Sequence, residues 1–154
     1  MRIFAFDSSV FLEKPIGEVF RFFSDAFNLP VITPPWVHFE VLTPPPIQMA
    51  QGTRLQYRLR LRGIPLRWES RISVWEPPRR FVDEQTRGPY RLWRHEHLFA
   101  ERGCGTECSD HVEYATIGGA VANRFLVAPD LSRIFAYRKR KLEELFSGSV
   151  GARL

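Results

Sequence analysis

His95 and His97 stand two residues apart in LWRHEHLF, with Asp83 and Gln85 upstream in FVDEQ and Asp110 downstream. Imidazole is the side chain whose ordinary pKa lies nearest neutrality, and a carboxylate beside it holds one tautomer and draws on its basicity. Two histidines and two aspartates suit three chemistries: acid–base work, metal ligation, or polar anchoring of a ligand. On a strand the two histidines would lie about 6.6 Å apart along the chain and on the same face. Trp93, His95, His97 and Phe99 then share one side, and Leu92, Arg94, Glu96 and Leu98 the other. An Arg and a Glu belong in water, so the Trp-His-His-Phe side is expected to face inward. Phe81, Asp83 and Gln85 can turn the same way from a short strand, 81–85, and Cys108, Asp110, Val112 and Tyr114 from a last strand, 106–114. A plain core has no use for such a mixture, because each unpaired buried polar group costs roughly 2–7 kcal/mol. A cavity that holds something does.

Asp83 or Asp110 could join the two histidines around a metal ion. No further Cys/His set supports such a site, so the preferred reading pairs the imidazoles with interior carboxylates; neither a metal nor a cofactor is expected. Cys104 and Cys108, in GCGTEC, lack a second pair and are expected to be free thiols. The chain has no G-x-S-x-G nucleophile and no phosphate-binding glycine loop; Gly118-Gly119 and Gly103-x-Gly105 read as turns.

The elements that must position these groups follow from periodicity. A strand is expected over residues 2–12. Pro15 then opens a helix whose Ile16, Val19, Phe20 and Phe23 make one apolar stripe. A short second helical turn, Leu29 to Ile32, ends at Thr33-Pro34-Pro35. Val37 to Leu42 reads as a second strand. The third has the clearest alternation, with Thr53, Leu55, Tyr57, Leu59 and Leu61 against Arg54, Gln56, Arg58, Arg60 and Arg62. Gly63-Ile64-Pro65 reads as the connection to a fourth strand, Arg67 to Glu76, with Trp68, Ser70, Ile72 and Val74 inward and Trp75 outward. A long helical region follows Ile117-Gly118-Gly119 and ends near Phe146. Its stripe includes Phe125, Val127, Leu131, Ile134, Phe135, Leu142 and Leu145, and Pro129 is expected to kink or break it. The run Arg138 to Lys141 reads as the wet side of that helix, and the tail after Ser147 as frayed.

A chain of 154 residues with 14% aromatic side chains suits one soluble domain with a large or hollow core. The net charge of +5 comes mostly from arginines that alternate with apolar residues along strands, so nucleic acid is not an expected partner. No apolar run is long enough for a membrane span and no leader pattern opens the chain, which makes the cytoplasm the expected location.

The run from Trp75 to Phe99, W-x-P-P-x-x-F-V-D-x-Q-x-x-G-P-Y-x-x-W-x-H-x-H-x-F, resembles the ligand-binding branch of the START/Bet v1-like (SRPBCC) superfamily, as does N-L-x-x-x-T-P-P at Asn28 to Pro35. The resemblance covers nearly the whole chain and is closest to a bacterial subfamily. It implies an α+β helix-grip fold: a curved seven-stranded antiparallel sheet wrapping the C-terminal helix, with two short helices after the first strand, in one domain over 1–154. It also implies a small hydrophobic or amphipathic ligand (lipid, polyketide or aromatic) between sheet and helix, in a monomer or homodimer. The other reading is a cavity enzyme of the cyclase/dehydratase kind using His95, His97, Asp83 or Asp110. The residues expected around the ligand are Tyr57, Trp68, Asp83, Gln85, Tyr90, Trp93, His95, His97, Asp110, Tyr114, Phe125 and Ile134.

Overall fold

The computed structural model describes the backbone of residues 1–151 and the side chains of residues 1–147. Seven antiparallel strands form one sheet: β1 (Phe4–Leu12), β2 (Glu40–Val41), β3 (Arg54–Leu61), β4 (Ile64–Glu76), β5 (Arg80–Arg87), β6 (Leu92–Arg102) and β7 (Gly105–Ala115). Their order across the sheet is β1-β7-β6-β5-β4-β3-β2. Helix α1 (Ile16–Phe23) follows β1, then three 3-10 turns at Ala26–Asn28, Pro30–Ile32 and Pro35–Val37. After β7 come a short helix α2 (Gly119–Ala122), a π-helical turn (Asn123–Val127) and the long helix α3 (Ala128–Gly151). The helix-grip architecture is as expected. No helix among the described residues is long and apolar enough to cross a membrane.

Each strand explains itself by alternation. On β3, Leu55, Tyr57 and Leu59 are buried while Arg54, Gln56, Arg58 and Arg60 are exposed. The β3–β4 hairpin has a two-residue turn, Arg62-Gly63, because Leu61 already pairs with Ile64. Both turn residues have positive φ, 51° and 80°, which suits the right-handed twist of the strands it joins. Ile64 and Pro65 therefore lie in β4 and not in the connection. The Arg62 side chain makes two bonds to Asp130, each 3.0 Å, which tie the hairpin to the start of α3.

Three further expectations change. Val37 to Leu42 is not one strand: Pro35–Val37 is a 3-10 turn, His38 has φ 49°, and only Glu40–Val41 pairs with β3. A left-handed residue cannot continue an extended chain. Trp75 faces inward, because Ile72 pairs with Asp83 and Val74 with Val82, leaving Ser73 as the extra residue of a bulge. The flipped Trp75 packs on Phe20 and Phe81, at centroid distances of 5.2 and 5.5 Å. Pro129 does not end the helical run: it is the second residue of α3, and the wider π turn immediately before it accommodates the missing N–H and the ring's bulk.

Helix α3 lies over the concave face with Leu131, Phe135 and Leu142 buried. Phe135 meets Phe6 of β1 at 5.0 Å, and Phe146 meets Phe22 of α1 at 5.3 Å. The helical phase slips at the π turn, and Phe125, expected on this stripe, is 66% exposed. The helix continues past the expected end near Phe146 and runs through Gly151, in place of the fraying expected after Ser147; residues 152–154 lie outside the described residues. Cys104 and Cys108 are both free, the first exposed in the β6–β7 turn and the second buried.

If α3 is the lid of the core, Leu142→Ala should destabilise the protein by about 2–5 kcal/mol. Phe125→Ala should leave the urea midpoint near that of the native chain. Equal effects of the two changes would contradict this placement of the helix.

Candidate functional site

The site begins with register. On the concave face His95 lies opposite Asp83 of β5, and His97 lies opposite Phe81 of β5 and Asp110 of β7. The hydrogen bonds run diagonally instead. His97 Nε2 lies 2.8 Å from Asp83 Oδ2, and His95 Nε2 lies 2.8 Å from Asp110 Oδ1. The diagonal follows from stacking: the two imidazoles lie 3.8 Å apart at 25°, and Phe81 stacks on the outer side of His97 at 4.0 Å and 13°. Stacked rings lean together, and each reaches past its direct neighbour.

A carboxylate only accepts, so each Nε2 carries a proton. His95 Nδ1 is 4.0 Å from Asp83, and His97 Nδ1 is 3.5 Å from Asp110. His97 Nδ1 is buried and has no hydrogen-bond partner. Arg138 closes the cluster from α3, donating from Nη2 to Asp110 Oδ1 at 3.2 Å, with its guanidinium over the rings of Phe23 and Phe135.

Burial and the neighbouring His95 lower the pKa of His97 to about 4, despite the bond to Asp83, so the ring is neutral at pH 7. Burial pushes the Asp110 carboxyl up, but Arg138 and His95 outweigh it and hold it below the usual carboxylate range. Asp83 is held low in the same way, with the His97 hydrogen bond the main counterweight to burial. Two ionised carboxylates and one guanidinium therefore sit under neutral His97.

This floor opens into a cavity of about 160 Å³ between the sheet and α3. Of the expected ligand-facing residues, Tyr57, Trp68, Asp83, Tyr90, Trp93, His95, His97 and Ile134 line it. Trp68 packs edge-on against Tyr90 and Trp93, at 5.5 and 5.3 Å, and its N–H donates to buried Ser70. The Tyr57 phenol is pushed well above its ordinary pKa, by burial and by Asp83, and stays protonated.

Four expected residues are placed elsewhere. Asp110 sits behind His95 and bonds to it, away from the cavity wall. Gln85 folds back, its amide both donating to Tyr90 O and accepting from Tyr90 N. Tyr114 donates to Asn123 Oδ1 at 2.6 Å inside a second core cluster with Leu131 and Phe135. Phe125 points away from the sheet. Arg138, expected on the wet side of the helix, belongs to the site and is only 9% exposed. A sequence signal for it exists: Leu131, Phe135, Arg138 and Leu142 follow the spacing of one helical face.

The histidines pair with interior carboxylates, as expected. The same geometry brings donor atoms of Asp83, His95 and His97 within 4.8 Å of one another.

The family described as "Polyketide cyclase / dehydrase and lipid transport" matches residues 12–135. The chain belongs to this family. Among solved structures, the fold is shared with TTHA0849 from Thermus thermophilus, at TM-score 0.75 and 18% identity over 94% of this chain and 98% of that one. It is shared with the Zhui aromatase/cyclase from Streptomyces sp. R1128, at TM-score 0.75 and 15% identity over 97% and 96%. The ginseng major latex-like protein 151 from Panax ginseng aligns at TM-score 0.70 and 9% identity over 94% and 97%. No curated protein matches the chain by sequence. At these identities the likeness is one of fold, the Bet v1-like sheet around its last helix.

Removing Asp110 would leave both Arg138 and His95 without their acceptor inside the protein. Asp110→Ala should lose about 3–5 kcal/mol of stability in urea unfolding, as a broken buried pair does. Glu40→Ala, which removes only the half-exposed pair to Arg58, should shift the midpoint little. An Asp110 variant as stable as the native chain would show the cluster to be solvated.

Proposed function

We propose that the chain binds a small amphipathic molecule, with one or two rings and a polar group, in the cavity between the sheet and α3. One observation carries this reading: aromatic and aliphatic walls surround a floor of Asp83, His95 and His97, with Arg138 at its edge. Apolar walls with a few convergent polar groups are the usual make-up of a small-molecule site. The size limits the occupant. A cavity of about 150 Å³ holds one benzene ring, so an occupant much larger than a single ring needs α3 or the Pro35–Val37 turn to move outward. Trp68, Trp93 and Tyr90 offer ring faces to the apolar part, and the protonated Tyr57 phenol offers a donor to the polar part.

A cavity enzyme of cyclase or dehydratase type is the second reading. It rests on two cavity-lining imidazoles whose Nε2 atoms are each oriented by a buried carboxylate, His97 by Asp83 and His95 by Asp110. That is the arrangement of a general base held in one tautomer. The family description includes both cyclases and lipid transport, and one structural neighbour is named an aromatase/cyclase.

para-Nitrophenol, a single ring with one polar group, serves as a first probe, read by quenching of tryptophan fluorescence and by native mass spectrometry. Saturable one-to-one binding that weakens at least ~10-fold in Leu61→Trp, at the cavity wall, is the expected result, since overfilling a site costs typically 1–3 kcal/mol. Binding indifferent to Leu61→Trp would place the ligand elsewhere. Turnover of a bound ketone or enol that disappears in His97→Gln, with probe binding retained, would favour the enzyme.

A further inference from the structure

We propose that Asp83, His95 and His97 bind a divalent first-row transition-metal ion such as zinc or cobalt at the cavity floor, with Asp110 and Arg138 as its outer shell. The site takes the ion whether or not the cavity holds an organic ligand, so it stands apart from the binding reading above.

The donor set selects the kind of ion. Two imidazoles and one carboxylate suit zinc, cobalt, nickel or iron(II), and are poor for magnesium or calcium, which take oxygen. Bonds of about 2.0–2.2 Å to such an ion place neighbouring donors about 3.3 Å apart. Around Asp83 Oδ2, His97 Nε2 lies at 2.8 Å and His95 Nδ1 at 4.0 Å, on either side of that value. All three residues line the cavity, which leaves the remaining coordination positions open to solvent or ligand.

The orphaned nitrogen points the same way. With the His97 proton on Nε2, pointing at Asp83, the lone pair on Nδ1 faces Asp110 Oδ1 at 3.5 Å and has no partner. Two acceptors facing each other inside a protein repel. An ion bound at Nε2 moves the proton to Nδ1, which then donates toward Asp110. His95 already has the matching form: Nε2 donates to Asp110 at 2.8 Å and Nδ1 faces Asp83. Asp110 then accepts from both ligating imidazoles while Arg138 holds it, the outer-shell carboxylate that ligating histidines commonly have. A single change of tautomer thus satisfies His97 and completes the arrangement.

Charge adds to both. Asp83, Asp110 and Arg138 sum to one negative charge beside the neutral His97 ring, and a divalent ion reverses that sign. An anionic group or hydroxide in an open position restores neutrality.

The test uses the full chain, stripped with a chelator and titrated with Co(II) in the visible and with Zn(II) by calorimetry. One equivalent should bind, with a d–d spectrum of low-symmetry nitrogen–oxygen coordination. Asp83→Asn, nearly isosteric and checked for folding by circular dichroism, and His95→Gln should each abolish that spectrum. Asp110→Asn should keep it but weaken affinity about 10–100-fold. His111→Ala, at the exposed His111–Asp7 pair, should change nothing. No stoichiometric binding by the native chain up to millimolar Co(II) would overturn the proposal. So would native affinity in Asp83→Asn. Nitrophenol binding by the chelator-treated chain is read separately and succeeds or fails independently of the metal.

Discussion

The Arg138 guanidinium meets the Asp110 carboxylate at 3.2 Å in the interior, with both side chains about nine-tenths buried. Neither charge could stay there alone, since an unpaired ion in such a place costs several kcal/mol. Much of the molecule follows from keeping them together. The contact sets how α3 is rotated over the sheet, because Arg138 must share a face with Leu131, Phe135 and Leu142. It keeps Asp110 ionised, so that His95 must donate from Nε2. Stacking then aligns His97 with His95, and Asp83 completes the set. Polar order passes from helix to β7, to β6, to β5.

The cavity is the counterpart of that order. A helix packed directly on this sheet would crush the His–Asp floor. Bulky side chains at the margins prevent this: Trp68, Tyr90 and Trp93 form one edge-packed group, and Phe6 and Phe135 another contact on the far side. The Arg62–Asp130 pair anchors the start of α3 to the β3–β4 hairpin. The helix is thus supported along its length while the space beneath its middle stays open.

Much of this is legible in the sequence, and the failures have identifiable physics. Alternation on β6 and β7 places Trp93, His95, His97, Phe99, Cys108, Val112 and Tyr114 correctly because both strands pair without interruption. Trp75 defeats it because a bulge leaves no mark in residue type; Ser73 looks like any outward serine. Gln85 shares the parity of Asp83, yet its amide is drawn to the Tyr90 backbone across the Gly88-Pro89 turn, a contact no period encodes. Phe125 leaves its expected stripe because a π turn adds one residue to the helical count. Arg138 differs in kind: its charge argues for exposure, whereas its position puts it on the buried stripe. Where residue type and position disagree, position is the better guide, and the disagreement itself marks the site.

The stack of Phe81, His97 and His95 has an optical and magnetic side as well. His97 is sandwiched, with a ring 4.0 Å away on one side and another 3.8 Å away on the other. The carbon-bound protons of its imidazole therefore lie in the shielding regions of two ring currents. His38 and His111, nearer the solvent, have no such sandwich. The four histidines of the chain divide into a shielded buried pair and a pair with near-ordinary resonances. Any occupant that tilts the stack by a few degrees displaces the buried signals and leaves the other two still, so the floor of the cavity carries its own reporter.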